Sequence, residues 1–365
     1  MKRSDTRASG PWLPAPGSCL APAFVDLQVN GFAGVDYNTP DTPHEAIARS
    51  IRVLFSTGVA RFFPNVITAA PNAMAACLRN LARAAATLPE GEAIAGFHIE
   101  GPHISPEDGP RGAHPREWVR PPDFDEFLRW QDAAEGRIRI VTLAPEWPQA
   151  PGYIERLAAA GVAVSIGHTA AGPAEIAEAV RAGATMSTHL GNGAHQLLRR
   201  HPNYIWEQLA EDRLMAGFIA DGIHLDSAFL KSAIRAKTPA RSILVTDAAT
   251  AAGAPPGRYR FGALDVDLTA AGRVVLAGTD RLAGSALRMD RGVENLVRLA
   301  GLPLSDALRM ASLNPSQAAR LPDRVDTIQF TFDSAVPRLE ITATWLSGRQ
   351  VYGAPMPAPA SPPAQ

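Results

Sequence analysis

Between residues 21 and 320 the chain alternates short apolar runs with longer Ala/Leu/Arg segments whose apolar residues recur at helical spacing. The runs Ala23–Val29, Arg61–Ile67, Ala93–Ile99, Arg137–Leu143, Val162–Ile166, Thr185–Thr188, Leu214–Ala220 and Ser242–Thr246 read as strands. Helical stretches separate them, among them Pro43–Phe55, Pro71–Ala86, Pro151–Ala160, Pro173–Ala182 and Ser227–Ala236. Several open with proline in the first turn, where its missing N–H breaks no helical hydrogen bond. Eight strands alternating with helices over about 230 residues predict an α/β fold, a (β/α)8 TIM-like barrel. A doubly wound sheet would usually begin with a glycine-rich turn, and the chain holds no G-x-G-x-x-G.

Three stretches exceed a minimal barrel. Gly101–Trp130 follows the third strand, Asn192–Asp212 the sixth and Ala252–Gly278 the eighth. The last contains alternating segments at Arg258–Phe261, Leu264–Leu268 and Arg273–Leu276, the mark of a small β-insertion near 252–278. Long loops at the carboxyl ends of strands are where such barrels build their sites. Helical stretches at Leu287–Leu299 and Leu304–Ala311 follow, and Asp326–Phe332 with Leu339–Trp345 read as a terminal strand pair. The expected organisation is an irregular lead-in at 1–20, a barrel at 21–320, a small reduced β-element at 321–353 and a Pro/Ala tail at 354–365. Neither end is expected to carry function.

Composition narrows the class. Of 365 residues 46% are hydrophobic and 19% charged, as in a soluble globular protein with a substantial core. A net charge of −1 leaves no electrostatic footprint for nucleic acid or an anionic membrane. No apolar run approaches the roughly 20 residues that span a bilayer, and Met1–Gly10 lacks the apolar core of a signal peptide. The two cysteines, Cys19 and Cys77, match no metal or redox spacing and read as free thiols. A cytoplasmic protein is expected.

Polar residues stand at the ends of the predicted strands, and a parallel barrel gathers those ends on one rim. The organising stretch is Phe97-His98-Ile99-Glu100-Gly101-Pro102-His103, which delivers a carboxylate to a Gly-Pro break. The first strand ends in Gln28-Val29-Asn30, the fifth in Gly167-His168, the sixth in Thr188-His189, the seventh in Asp221-Gly222-Ile223-His224 and the eighth in Asp247. Glu100, His168 and His189 offer two imidazoles and a carboxylate, a divalent-metal set that leaves positions for water and substrate. One strand-end histidine alone is more often structural than a ligand; the joint pattern carries the reading. His98 faces the same way as Glu100 and is read as a structural or supporting histidine, while His44 and His201 are read as solvated. His103 and His195 receive no role.

With these residues in view, the chain resembles the amidohydrolase superfamily and, within it, the N-acetylglucosamine-6-phosphate deacetylase family. The ordered segments are PAFVDLQVNGFAGVD, GFHIEGPHIS with GAHP, SIGHT, THLGN, FIADGIHLD, LVTDA followed by AAGAPPGRY, and LAGSAL. The resemblance implies one divalent metal ion, zinc first, with iron, manganese or cobalt as alternatives, on Glu100, His168 and His189. It implies Asp247 as catalytic acid/base and His114 as a group that polarises the substrate carbonyl. It further implies that His224, Asn192 and the Gly193 backbone contact a sugar phosphate, with Arg200 as the phosphate arginine and Arg199 as its alternative. Phosphate contacts from a second subunit imply a homodimer.

The chain departs from the family pattern in four places. Gln28-Val29-Asn30 replaces the His-x-His of two-metal relatives, and amides are poor zinc ligands beside imidazole, so a single metal is expected. Gly193-Ala194 follows Asn192 where Ala-Met is usual, and QLLRRHPNY replaces the usual His-Arg-Glu-Pro-Gly wording around the arginine. In place of the β-structure that normally precedes the first strand stand about 20 Pro-rich residues, so any accessory β-domain is expected to be reduced and built mainly from Asp326–Tyr352. The expected reaction is removal of the N-acetyl group from an amino sugar, foremost its 6-phosphate. Two alternatives stay open: an amidohydrolase acting on an unphosphorylated or differently acylated amino sugar or related amide, and a non-catalytic sugar-phosphate-binding barrel.

Overall fold

The computed structural model describes residues 18–322 and 326–354. The readings made for residues 1–17 and 355–365 lie outside the described residues. Eight parallel strands form one sheet in the order of the sequence: β1 (Phe24–Val29), β2 (Val59–Ile67), β3 (Phe97–Glu100), β4 (Ile138–Leu143), β5 (Ala163–Ile166), β6 (Ala184–Ser187), β7 (Met215–Phe218) and β8 (Ser242–Leu244). The ends of the sheet meet through one parallel bridge between Val29 and Ala248. Thr246 Oγ1 adds a hydrogen bond across the same seam to Asp26 Oδ2 at 2.5 Å. The barrel expected from the alternation is therefore present and nearly closed.

The period of two decides which side chains fill it. Val25 and Leu27, Phe63, Ile140, Met186, Ile243 and Val245 belong to one buried cluster inside the barrel. Their neighbours in sequence, Phe24, Phe62 and Leu244, face the helices and join Ile47, Leu78, Ile154 and Leu230 in the larger core. Phe97 is fully buried in that layer. Truncating it to alanine is worth about 3–5 kcal/mol.

The excursions carry structure the alternation did not reveal. Phe124–Ala133 is a helix inside the loop after β3, capped by Asp123, whose side chain accepts the Asp125 N–H at 2.9 Å. Tyr204–Ala210 is a second, capped by Asn203, which accepts the N–H groups of Ile205 and Trp206. The insertion after β8 is a three-stranded antiparallel sheet of Gly257–Phe261, Leu264–Leu268 and Val274–Leu276.

One expectation needs correcting. Cys19 and Leu20, placed in an irregular lead-in, and Ala21 and Pro22, assigned to the barrel, form one strand, Cys19–Pro22, paired antiparallel with Thr327–Asp333. Together with Arg338–Leu346 and Arg349–Gly353 it makes a four-stranded sheet. So short a segment containing a proline carries almost no local strand signal, and its partner lies near the other end of the chain, so only tertiary pairing reveals the strand. Arg61 of β2 ties this sheet to the barrel by donating to the Asp326 carboxylate at 2.5 Å. No helix among the described residues is long and apolar enough to cross a membrane.

Candidate active site

Three side chains meet at the carboxyl ends of β3, β5 and β6. Glu100 closes β3, while His168 and His189 each stand two residues beyond the last residue of their strands. Glu100 Oε1 lies 3.1 Å from His168 Nε2 and 2.9 Å from His189 Nε2, and the two Nε2 atoms are 3.1 Å apart. All three residues are buried. They form a group of metal-ligating type with one ligand atom from each residue.

The protonation of His168 tests whether a cation suits the site. Its Nδ1 lies 2.8 Å from the Pro110 carbonyl and must donate to it. The neutral ring then presents a lone pair at Nε2, towards the lone pairs of Glu100 Oε1 and His189. Three electron-rich atoms at about 3 Å repel one another unless a proton or metal cation stands among them. The donor set also suits a borderline divalent ion with open positions. Burial alone would raise the Glu100 carboxyl, but with a proton standing among these atoms the hydrogen bonds and charge from His168 and then His189 hold it well below the usual range.

The remaining lone pairs of Glu100 are served by amides. Gln28 Nε2 donates to Oε1 at 2.9 Å, and Asn65 Nδ2 to Oε2 at 2.7 Å. The end of β1 thus supplies one hydrogen-bond donor to the Glu100 carboxylate, Gln28, and β2 supplies the other, Asn65. His98 is spent elsewhere. Its Nδ1 donates to the Leu27 carbonyl at 2.9 Å, its Nε2 accepts from Thr142 Oγ1 at 2.7 Å, and burial pushes the ring down to about 4. It is a neutral floor residue, outside the ligand group.

Asp247 follows β8 and faces the same cavity. Asn30 Nδ2 donates to its Oδ1 at 2.8 Å. Burial, then the charge of Glu100, raises its carboxyl to about 6. His114 arrives on the loop after β3 and stacks edge-on against His168 with ring centroids 4.5 Å apart. Its Nδ1 is 2.8 Å from Thr68 Oγ1, and burial, then His168, pushes its ring down to about 3. His224 gives Nδ1 to Asp221 Oδ2 at 2.6 Å.

The cavity measures about 690 Å³ including its solvent-open mouth, and Asn192, Gly193 and His224 line one part of it. Phe261 and Leu264 of the insertion line it too, with Leu282–Gly284 just beyond. His168, His189 and Asp247 have positive φ values of 51°, 28° and 49°. Non-glycine residues in that region cluster at functional sites. Gly193, with φ +55°, could not be larger: an added Cβ would come within 2.7 Å of His168 Nδ1.

Arg199 and Arg200 are not brought to this cavity. Both are exposed, and the Asn203 amide binds only their carbonyls. His44 is half-buried against Asn80 rather than free in solvent, while His201 is exposed as expected. His103 packs between Trp130 and Tyr153, and His195 pairs with Tyr204 and Glu107, both away from the metal-ligating group. The sequence reading overlooked Asn65 and Thr68. Their only signal was polarity near the end of an apolar strand.

The family model for the amidohydrolase family matches residues 19–330. A human N-acetylglucosamine-6-phosphate deacetylase is 36% identical over 93% of this chain and 84% of its own. One from Bacillus subtilis is 34% identical over 85% of this chain and 78% of its own. Among solved structures, a mutant N-acetyl-D-glucosamine-6-phosphate deacetylase from Mycobacterium smegmatis, in complex with N-acetyl-D-glucosamine-6-phosphate, superposes with a TM-score of 0.83. It is 33% identical and the match covers 92% of this chain and 87% of that one. The chain therefore belongs to the amidohydrolase family and, within it, to the N-acetylglucosamine-6-phosphate deacetylases.

Proposed function

We propose that the protein hydrolyses N-acetylglucosamine 6-phosphate to glucosamine 6-phosphate and acetate. The observation that carries this reading is the convergence of Glu100, His168 and His189 with Asp247 and His114 on one cavity. One divalent ion, zinc in this reading, would be held by the first three residues and would supply Lewis acidity, acidifying water from a pKa of 15.7 towards about 7 and polarising the acyl oxygen.

Asp247 accepts a proton from the attacking water as oxygen bonds to the acyl carbon. It returns that proton to nitrogen as the C–N bond breaks, because an unprotonated amine leaves poorly. His114 is neutral at working pH, so it serves as a hydrogen-bond donor and not as an acid. In this reading the ring takes the tautomer that accepts at Nδ1 from the Thr68 hydroxyl, 2.8 Å away, and offers the proton on Nε2 to the developing oxyanion.

His224, oriented by Asp221, together with Asn192 and the Gly193 backbone, binds the sugar phosphate in this reading. Arg200 reaches the phosphate from the second subunit of a homodimer, which accounts for its distance from its own cavity. The two unpaired cysteines fit the reducing cytoplasm. A second reading, an unphosphorylated or differently acylated amino sugar, is favoured by one observation: no lysine or arginine is among the residues lining the cavity of the single chain.

The test is acetate release from phosphorylated and free N-acetylhexosamines by metal-reconstituted protein. Preference for the 6-phosphate supports the first reading, and equal rates support the second. No release from any member, with metal bound, defeats both.

A further inference from the structure

Asn65 lies near the carboxyl end of β2, in a strand buried along its whole length, and is itself fully buried. Its Nδ2 donates to Glu100 Oε2 at 2.7 Å and to Asn30 Oδ1 at 2.8 Å. Asn30 passes the polarity on, donating its own Nδ2 to Asp247 Oδ1 at 2.8 Å. The direction of every link follows from the carboxylates at the two ends, because an ionised carboxylate only accepts. Reversing Asn65 would set its oxygen against Glu100 Oε2 and against Asn30 Oδ1. In the orientation observed, Asn65 Oδ1 is buried without a partner. The fold tolerates an orphaned acceptor in order to place both protons of one amide, an arrangement that marks a functional constraint.

From this chain of bonds we infer that Asn65 is a positioning residue that couples the cation site to the general base. Its bond to Oε2 occupies the Glu100 oxygen that faces away from the histidines, so the carboxylate meets a cation through Oε1 alone. Through Asn30 it holds Asp247 by Oδ1 and leaves Oδ2 for the proton transfer. The second effect rests on the deacetylase reading above; the first rests only on the geometry of Glu100, His168 and His189. Hydrogen bonds that orient a metal ligand in this way are worth on the order of 10- to 100-fold in metal affinity or activity.

Two variants separate the effects, each checked for a native-like melting transition. Asn65→Leu keeps the branched shape, at a somewhat larger volume, and removes both donations. It should weaken zinc binding to the apo-protein on the order of 10- to 100-fold, measured by competition with a chelating dye, and lower kcat at least about tenfold with KM nearly unchanged. Asn65→Asp keeps the shape but replaces the donor by an acceptor, so Asn30 must turn its amide nitrogen to the new carboxylate and present oxygen to Asp247. Zinc affinity should then hold or rise while kcat still falls at least about tenfold. Adding Asn30→Ala to Asn65→Leu should cost no further kcat, because both act on Asp247 along one path.

Wild-type kcat in folded Asn65→Asp, or wild-type zinc affinity in folded Asn65→Leu, overturns the inference, as do additive kcat losses in the double variant. Failure of the wild-type protein to release acetate would instead defeat the deacetylase reading, leaving the zinc measurements to judge Asn65 by themselves.

Discussion

The floor of the cavity and its outer rim at residues 192–203 are built in opposite ways, although the proposed chemistry needs both. On the floor, Glu100, His168, His189 and His114 are buried; both Glu100 oxygens and both His168 nitrogens have named partners, while His189 Nδ1 is buried without one. On the rim, Arg199 and Arg200 are exposed, and neither guanidinium has a hydrogen bond or ion pair among the described residues. Leu197, two residues before Arg199, is 93% exposed and Trp206 53% exposed. A preorganised site is complete within one chain because low dielectric makes any unpaired group there costly. A rim of exposed cations and apolar side chains carries no such cost, and it fits a surface completed by a second subunit.

The contrast can be broken most sharply on the floor. Asp247→Asn should lower kcat by about 10³-fold or more while zinc content stays at the wild-type level, since general acid–base groups contribute about 10²–10⁴-fold. Turnover near wild type, in protein free of deamidation, would remove Asp247 from its role. His189→Ala removes one of three converging ligand atoms and should abolish stoichiometric zinc in purified protein; full zinc content would show that the triad is not the site.

Effects at the rim should be smaller and fall on binding. Arg200→Ala should raise KM for the phosphorylated substrate about 10- to 100-fold and leave kcat nearly unchanged, as expected for one charge-assisted phosphate contact. Arg199→Ala should do less. If neither raises KM, the phosphate assignment falls.

The smallest effect concerns pH. Asp247 must be ionised to act as base, and its carboxyl is raised to about 6 by burial and by Glu100. Activity should therefore be lost as pH falls through the region at or below 6, because a bound cation offsets part of the Glu100 charge. The acid limb of kcat/KM measures it, and a limb above about pH 7 would point to another group.

The same division governs what the residues reveal in order along the chain. All eight barrel strands, Glu100, His168, His189 and Asp247 were legible, because period and position at a strand end are local properties that the parallel barrel turns into convergence. The helix at Phe124–Ala133 left its traces in Asp123, Phe127 and Trp130, but a long irregular stretch masked them. Cys19–Pro22 left none, since its strand character comes entirely from Thr327–Asp333. His98 and His168 look alike in sequence, each within two residues of a strand end. The sequence reads His98 as a supporting residue, and the Leu27 carbonyl and Thr142 hydroxyl, which occupy both its nitrogens, supply the physical reason.

By itself, then, the sequence determined the barrel, its order of strands and the identity of the groups delivered to the rim, because apolar periodicity is written in neighbouring residues. The tertiary structure alone decided how those groups are wired. Asn65 touches Glu100 across 35 positions, and Asn30 touches Asp247 across 217. Hydrogen bonds of that separation leave no local pattern, and their directions follow from which atoms the closed barrel brings within hydrogen-bonding distance of one another.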